Sequence, residues 1–208
     1  MEGREVNELQ KLENRSREDE QKTAENLSVK LSVFSVALHN MECSRLSSEP
    51  EVGDQHGWIP FPCNNFVDLL IDAFLVTGQD RSKTFLDIGC GIGTKVMLAD
   101  VLFEASGFDI DGEYLDTARK IGCKNVWEAD AMDFEGYGDY DILYYYAPFK
   151  EEVLQKRFEN RLYAQMKPGQ VLAPMHTMTM WHRYNDMTPH GRYLYVKESP
   201  IEYDMVKR

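Results

Sequence analysis

A glycine-rich turn is the segment of the chain with the clearest capacity to hold a ligand. It reads Asp87-Ile88-Gly89-Cys90-Gly91-Ile92-Gly93-Thr94 and stands between a strand-like run and a helix-like run. Glycine lets the backbone turn sharply and lets a ligand approach without a Cβ in the way. A dinucleotide-binding turn reads Gly-x-Gly-x-x-Gly, whereas the third glycine here comes one residue early. The spacing therefore predicts a cofactor turn and disfavours a nicotinamide dehydrogenase.

With Asp87 two residues before it, this Gly-x-Gly-x-Gly turn resembles motif I of the class I S-adenosylmethionine-dependent methyltransferases. The resemblance extends over about residues 83 to 200 and implies that the cofactor is S-adenosylmethionine. It also implies that Asp87 orients the turn and reaches the amino group of the cofactor through water. The turn residues that would cradle the amino-acid and ribose parts of the cofactor are Gly89, Cys90, Gly91 and Gly93.

The resemblance requires a carboxylate at the end of the next strand, and Asp109 stands there, 16 residues after Gly93. A carboxylate has two acceptor oxygens, which suit the vicinal diol of the cofactor ribose. The following residue packs on the adenine in the family, and that position is Ile110. The alternative for Asp109 is an exposed helix-capping carboxylate, a role that Asp111 fills better.

Two later turns continue the resemblance. The segment 128–134 matches the Gly-Asp-Ala pattern of the family, so Asp130 would accept a hydrogen bond from the adenine amino group. The backbone near Ala131 would serve a ring nitrogen, and Asp133 is the alternative to Asp130. Met166-Lys167-Pro168-Gly169-Gln170 resembles the turn before the fifth strand of the family.

The candidate catalytic residues follow two predicted strands. The segment 140–149 stands at the position of motif IV, whose strand end lies beside the transferable methyl group in the family. Alternation along a strand sends Tyr144 and Tyr146 to one side and Tyr145 to the other. We predict Tyr146 as a catalytic residue and Tyr145 as a cofactor contact, with simple packing as the alternative for at least two of the three tyrosines. His176 is a candidate general base, because imidazole titrates near neutrality.

These residues depend on elements that alternate between strand-like and helix-like patterns beyond Gly78, which is typical of a parallel sheet flanked by helices. We predict an α/β fold: a Rossmann-like, mostly parallel seven-stranded sheet flanked by helices, with an antiparallel C-terminal strand and a helical N-terminal extension. The predicted strands are 85–88, one ending at 107–109, 125–128, 140–146, 170–175, 192–197 and a possible one at 201–205. The predicted helices beyond residue 62 are one capped at Asn64 or Asn65, then 95–103, 111–122 and 150–166.

Three parts of the chain are predicted. Residues 1–26 are rich in charge and poor in apolar side chains, which indicates a tail or a frayed helix. Residues 27–82 are predicted as a helical cap and substrate lid, although the alternation from Leu27 to Val33 would also suit a strand. Trp58 and Phe61 are candidate lid residues, and residues 83–208 are predicted as the S-adenosylmethionine-binding domain.

Charge narrows the substrate class. Lys plus Arg number 23 and Asp plus Glu 35, a net charge of -12, and such an acidic surface repels phosphate backbones. Tyr146-Ala147-Pro148-Phe149 matches only the last two residues of the Asp/Asn-Pro-Pro-Tyr/Phe motif of amino-group methyltransferases that act on nucleic-acid bases or glutamine. We therefore expect a methyltransferase acting on a small molecule or a protein side chain. The alternatives are an S-adenosylmethionine-binding regulatory protein without transferase activity and a base amino-methyltransferase with a degenerate motif IV.

Other features bear on location and metals. The four cysteines show no spacing typical of a zinc site or a disulfide framework. The N-terminus lacks the pattern of a secretory signal, and the most apolar stretch, 66–76, is too short to cross a bilayer. We expect a cytoplasmic protein without a metal site; the sequence leaves the oligomeric state open.

Overall fold

The computed structural model describes the backbone of residues 2–46, 63–175 and 184–199. The helices are α1 (Glu2–Leu46), α2 (Cys63–Val76), α3 (Thr94–Ala99), α4 (Gly112–Lys120) and α5 (Glu152–Gln165), with a 3-10 turn at Tyr137–Asp139. The strands are β1 (Thr84–Ile88), β2 (Glu104–Asp109), β3 (Val126–Glu128), β4 (Ile142–Tyr146), β5 (Val171–Met175), β6 (Met187–His190) and β7 (Leu194–Lys197).

The seven strands form one mixed sheet in the order β3-β2-β1-β4-β5-β7-β6. The first five strands in that order are parallel, and β7 runs antiparallel to both β5 and β6. The predicted fold class is confirmed. In the register, Ile88 pairs with Phe108 on one side and with Tyr145 on the other. The carboxyl ends of β1, β2 and β4 therefore meet at one edge, where the strand order reverses and where open α/β sheets bind ligands.

The C-terminal strands differ from the prediction. The strand predicted at 192–197 begins at Leu194, and its neighbours are β5 and the preceding β6, joined to it by a turn at Gly191. The predicted strand at 201–205 lies outside the described residues. The sequence analysis missed β6 because Pro189 interrupts its pattern; proline is compatible with an edge strand, whose outer side needs no ladder hydrogen bond.

The helix predicted over 95–103 is shorter than expected. It ends at Ala99, and the chain turns through Leu102 and Phe103 into β2. Both side chains are buried in the core. Their apolar character therefore reflects a buried turn. The sequence pattern of such a turn is the same as that of one more turn of helix.

Two apolar layers cover the sheet. One layer, between the sheet and helices α1 to α4, contains Phe66, Phe85 and Tyr144. The other layer, on the side of α5, contains Tyr145 and Phe158. Successive tyrosines of β4 thus face opposite sides, as strand alternation predicts.

Helix α1 runs without interruption for 45 residues, so residue 26 is not a helix boundary. The predicted helix over the segment from Leu27 is confirmed. Its buried positions are Leu31, Ser35, Leu38 and Glu42, which recur at helical spacing and form one face. Leu31 and Leu38 belong to the same core as the apolar side chains of α2, so this part of α1 is packed on the domain.

Helix α1 is therefore expected to contribute to the stability of the whole domain. Leu38→Ala should lower the free energy of unfolding by about 2 to 5 kcal/mol, because it leaves a cavity at a side chain that is 5% exposed. The matched control on the same helix is Val33→Ala, at a side chain that is 72% exposed, with an expected change below about 0.5 kcal/mol. Urea unfolding measures both. Equal effects would mean that α1 does not pack on the domain in solution.

Candidate active site

The glycine turn is bound to the end of β2. The amides of Gly89 and Cys90 both donate to the carbonyl oxygen of Phe108, each over 2.9 Å. Burial raises the pKa of the Cys90 thiol, and a Cβ at Gly107 would come within 2.7 Å of the Cys90 Cβ. The Cys90 side chain thus packs inside the protein. A cofactor contact at Cys90 would therefore be made by its backbone.

The turn is closed on one side and open on the other. Gly93 has a φ of 73°, and a Cβ there would lie 2.7 Å from the Cys123 sulfur, so helix α3 begins in close contact with the core. Among the described residues, a Cβ at Gly91 would meet nothing within 4 Å, and one at Gly89 would meet only Pro148, at 4.0 Å. Space for a ligand therefore exists beside Gly89 and Gly91.

Asp109 ties the turn to the sheet. One carboxylate oxygen, Oδ2, accepts a hydrogen bond from the Gly91 amide at 2.7 Å, and Oδ1 accepts one from the Asp111 amide at 2.9 Å. Burial raises the pKa of Asp109, and these hydrogen bonds oppose the rise. Asp111 caps α4 by accepting from the amides of Glu113 and Tyr114. The predicted capping role of Asp111 is confirmed; the ribose contact of Asp109 stays a prediction.

Asp87 is a buried carboxylate directly behind the turn. It is 1% exposed, and its Oδ2 has no hydrogen-bond partner among the described residues. Burial raises the pKa of Asp87 to about 7; the carboxylates of Asp109 and Glu42 add to the rise, and the Lys95 ammonium opposes it. A buried charge without a partner is costly, and such an atom calls for a ligand. A cationic group on that ligand fits this position.

Helix α1 reaches the same place through Glu42, which the sequence analysis did not identify. The Glu42 side chain is buried, and its Oε1 accepts from the Thr94 hydroxyl at 3.1 Å and from the Lys95 ammonium at 3.2 Å. Its spacing in the sequence could have identified it, because Glu42 follows Leu38 by four residues and lies on the buried face of α1. A carboxylate on a buried face indicates a partner in the core.

The predicted adenine side lies next to Asp109. The Ala129 amide donates to the carbonyl oxygen of Asp109 at 3.0 Å, which places the turn after β3 against the end of β2. Within this turn Asp130 accepts from the Met132 amide at 2.7 Å, and the carbonyl oxygen of Ala131 accepts from the Tyr137 hydroxyl at 2.7 Å. Ile110 is an exposed apolar side chain at the same edge.

The tyrosines of β4 are divided between the two faces. Tyr146 is half-buried on the side of α3, where burial raises the pKa of its hydroxyl and Lys95 opposes the rise. Tyr145 is fully buried on the other side, its hydroxyl donating to Glu159 at 2.9 Å and its ring against Phe158 at 5.1 Å. Strand alternation places the Tyr145 side chain on the sheet face opposite Asp87 and Tyr146. The cofactor contact of Tyr145 stays a prediction.

Some predicted residues fall outside the described part of the chain. These are His176, the candidate base, and the lid candidates Trp58 and Phe61. Among the described residues no group of His, Cys, Asp or Glu is arranged to hold a metal ion. None of the helices described is both long and apolar enough to cross a membrane.

Comparison with known proteins identifies the fold. No protein-family model matches the sequence, and no curated protein matches it. Among solved structures, a proposed RNA methyltransferase from Pyrococcus horikoshii superposes with a TM-score of 0.58 at 18% identity, over 82% of this chain and 100% of that one. The chain has the Rossmann-like methyltransferase fold.

Other similar structures carry methyltransferase names. The S-adenosylmethionine-bound amino pentose methyltransferase CalS10 from Micromonospora echinaspora has a TM-score of 0.47 at 17% identity, over 53% of this chain and 49% of that one. An RNA methyltransferase from Salinibacter ruber, in complex with S-adenosylhomocysteine, has a TM-score of 0.49 at 18% identity, over 72% of this chain and 100% of that one. The chain spans about half the length of CalS10. The fold rests on the match to the Pyrococcus horikoshii structure at a TM-score of 0.58, and function is argued from the site.

Proposed function

We propose that this chain is an S-adenosylmethionine-dependent methyltransferase that acts on a small molecule or a protein side chain. The observation that carries the proposal is the buried carboxylate of Asp87, whose Oδ2 has no partner among the described residues, behind a turn that is open at Gly89 and Gly91. The cofactor has an ammonium group that would give this oxygen its missing partner, directly or through one water. The cofactor therefore fits the charge and the space of the site.

Further residues at the same edge would hold the rest of the cofactor. Each oxygen of Asp109 accepts one backbone hydrogen bond, and a carboxylate oxygen has a second acceptor position that a ribose hydroxyl would use. The exposed apolar side chain of Ile110 would pack on the adenine ring. Asp130 would accept from the adenine amino group, and the backbone near Ala131 would serve a ring nitrogen.

The cofactor supplies a methyl group bound to a sulfonium sulfur, and the leaving group is the neutral thioether. What the chain contributes is alignment of the acceptor and exclusion of water, which provide most of the acceleration such a transfer needs. The Tyr146 hydroxyl is protonated at neutral pH, and burial raises its pKa further above the ordinary value. In this proposal Tyr146 positions the acceptor by a hydrogen bond, and His176 removes a proton where the acceptor carries one.

The net charge of -12 supports the substrate class. A strongly acidic protein repels nucleic-acid phosphates and does not repel small neutral molecules or basic protein side chains. The segment Tyr146-Ala147-Pro148-Phe149 also lacks the amide or carboxylate that base amino-methyltransferases place at the first position. Both observations favour a small-molecule or protein acceptor.

Thermal unfolding tests cofactor binding. S-adenosylmethionine and S-adenosylhomocysteine at about a hundredfold excess over Kd should each stabilise the native state by about 2.7 kcal/mol, or roughly 5 to 10 °C in melting temperature. NAD is the control and should have no effect, because its pyrophosphate needs a different glycine spacing. Stabilisation by NAD alone would contradict the proposal.

Turnover separates an enzyme from a binding protein. S-adenosylhomocysteine formation is measured after S-adenosylmethionine is mixed with the protein and one of three acceptor pools: small metabolites, total protein or total nucleic acid. The proposal predicts product with the first or the second pool. Product with the nucleic-acid pool alone would contradict the substrate class, and binding without product in any pool would support a regulatory protein.

A further inference from the structure

A small buried polar cluster joins α1 to the start of α3, immediately behind the glycine turn. The carboxylate of Glu42 binds the ammonium of Lys95 and the hydroxyl of Thr94. The side chains of Glu42 and Lys95 are 7% and 17% exposed, so water screens this ion pair only weakly. The contact spans 53 residues of sequence and connects the N-terminal helix to the proposed cofactor site.

Lys95 interacts with two carboxylates: it forms an ion pair with Glu42 and acts electrostatically on Asp87. The titratable groups that face Asp87 are Glu42 from α1, Lys95 from α3, Asp109 from β2, Tyr144 from β4, and the thiols of Cys90 and Cys123. Lys95 is the one cation in this group within the described part of the chain. Its hydrogen bond goes to Glu42, whereas Asp87 Oδ2 has no partner there.

The ion pair has room to rearrange. A cavity of about 20 Å³ adjoins Glu42, Thr94 and Lys95, which is enough for about one water molecule. The cavity leaves space beside the Lys95 ammonium. The contact that holds the ammonium on the side of α1 is its hydrogen bond to the Glu42 carboxylate at 3.2 Å.

We propose that Glu42 is a positioning residue that holds the Lys95 ammonium away from Asp87, so that the Asp87 carboxylate stays open to the ammonium group of the cofactor. The inference rests on the proposed function, because it assumes that S-adenosylmethionine binds at Asp87. Without the Glu42 charge, Lys95 pairs with Asp87 and competes with the cofactor. Helix α1 thus controls cofactor affinity although it lies outside the glycine turn.

A double-mutant cycle tests the competition, with S-adenosylhomocysteine affinity measured by calorimetry at about pH 8. Glu42→Gln should lower the affinity about tenfold, the effect of one competing ion pair. Adding Lys95→Met removes the competitor, so the double variant should bind more tightly than Glu42→Gln alone. Glu25→Gln, at an exposed position of the same helix, is the matched control and should bind as the wild type does.

The pH dependence gives a readout that general damage to the fold does not produce. Binding requires ionised Asp87, so affinity falls as the pH drops through its pKa. In Glu42→Gln the Lys95 ammonium pairs with Asp87 and favours its ionised form, which moves the midpoint of the affinity curve to lower pH. In Lys95→Met the loss of the ammonium moves the midpoint to higher pH.

The outcomes are distinguishable. Absence of binding to the wild type would overturn the proposed function itself. Normal wild-type binding, combined with a double variant that binds no better than Glu42→Gln, would overturn the role of Glu42 and leave the proposed function intact. If Glu42→Gln does not fold, Glu42→Asp keeps the charge one methylene further away; it should show a smaller loss with the same rescue by Lys95→Met, and absence of rescue would again overturn the role.

Discussion

Asp109→Ala is expected to weaken S-adenosylhomocysteine binding by about ten- to a hundredfold, since a hydrogen bond between a charged group and a hydroxyl contributes roughly 1.5 to 3 kcal/mol. The same substitution removes the acceptor of the Gly91 amide at 2.7 Å. In our proposal the variant loses both the ribose contact and a restraint on the glycine turn, which places the expected loss toward the upper end of that range.

Asp111→Ala is the matched control for this experiment. Asp111 caps α4, and the loss of a capping side chain costs about 1 kcal/mol of stability without touching the turn. Calorimetry should show a normal Kd for Asp111→Ala and a weakened one for Asp109→Ala, with circular dichroism to confirm that both are folded. A weakened Kd for Asp111→Ala together with a normal Kd for Asp109→Ala would assign the ribose contact to Asp111.

The order of elements could be predicted because each depends on nearby residues. Alternating strand and helix patterns, the glycine turn and the capping position of Asp111 are all local signals. The sequence analysis missed strand β6 because Pro189 cannot donate a ladder hydrogen bond, a requirement that the position of β6 at the edge of the sheet removes. Whether a strand lies at the edge depends on the assembled sheet, so it cannot be predicted from the local sequence pattern.

The site could be predicted only in part, for a similar reason. Alternation predicts that Tyr145 and Tyr146 face opposite sides, but it does not say which side receives α5 and its Glu159 acceptor. Glu42 lies 52 residues before Thr94, and only the packing of α1 on the domain brings the two together. The residues of the glycine turn were identified from the sequence. Glu42, which reaches the site only because α1 packs on the domain, was not.

The buried carboxylate of Asp87 lowers the stability of the ligand-free protein. Asp109 and Glu42 each interact unfavourably with the ionised Asp87, and Lys95 opposes their effect. Groups arranged for a ligand commonly reduce the stability of the unliganded protein. Removal of the Asp87 charge should therefore stabilise the chain while it weakens binding.

Asp87→Asn is expected to show both effects. The pKa of Asp87 is about 7 in the folded protein against an ordinary value of 3.8, so the unfolded chain releases its proton at lower pH. Wild-type stability consequently falls as the pH rises through this window. About 2 kcal/mol of that loss lies between about pH 5.5 and about pH 8, and Asp87→Asn should lack it because asparagine does not titrate.

Urea unfolding of the ligand-free proteins at these two pH values measures the difference, and Asp116→Asn, at a side chain that is 67% exposed, is the control that should follow the wild type. Calorimetry at about pH 8 should show that Asp87→Asn loses at least about tenfold in S-adenosylhomocysteine affinity, because its neutral amide replaces a charged partner of the ammonium group. A pH dependence identical to that of the wild type would mean that Asp87 does not titrate in this window. Undiminished affinity would place the ammonium group at another acceptor.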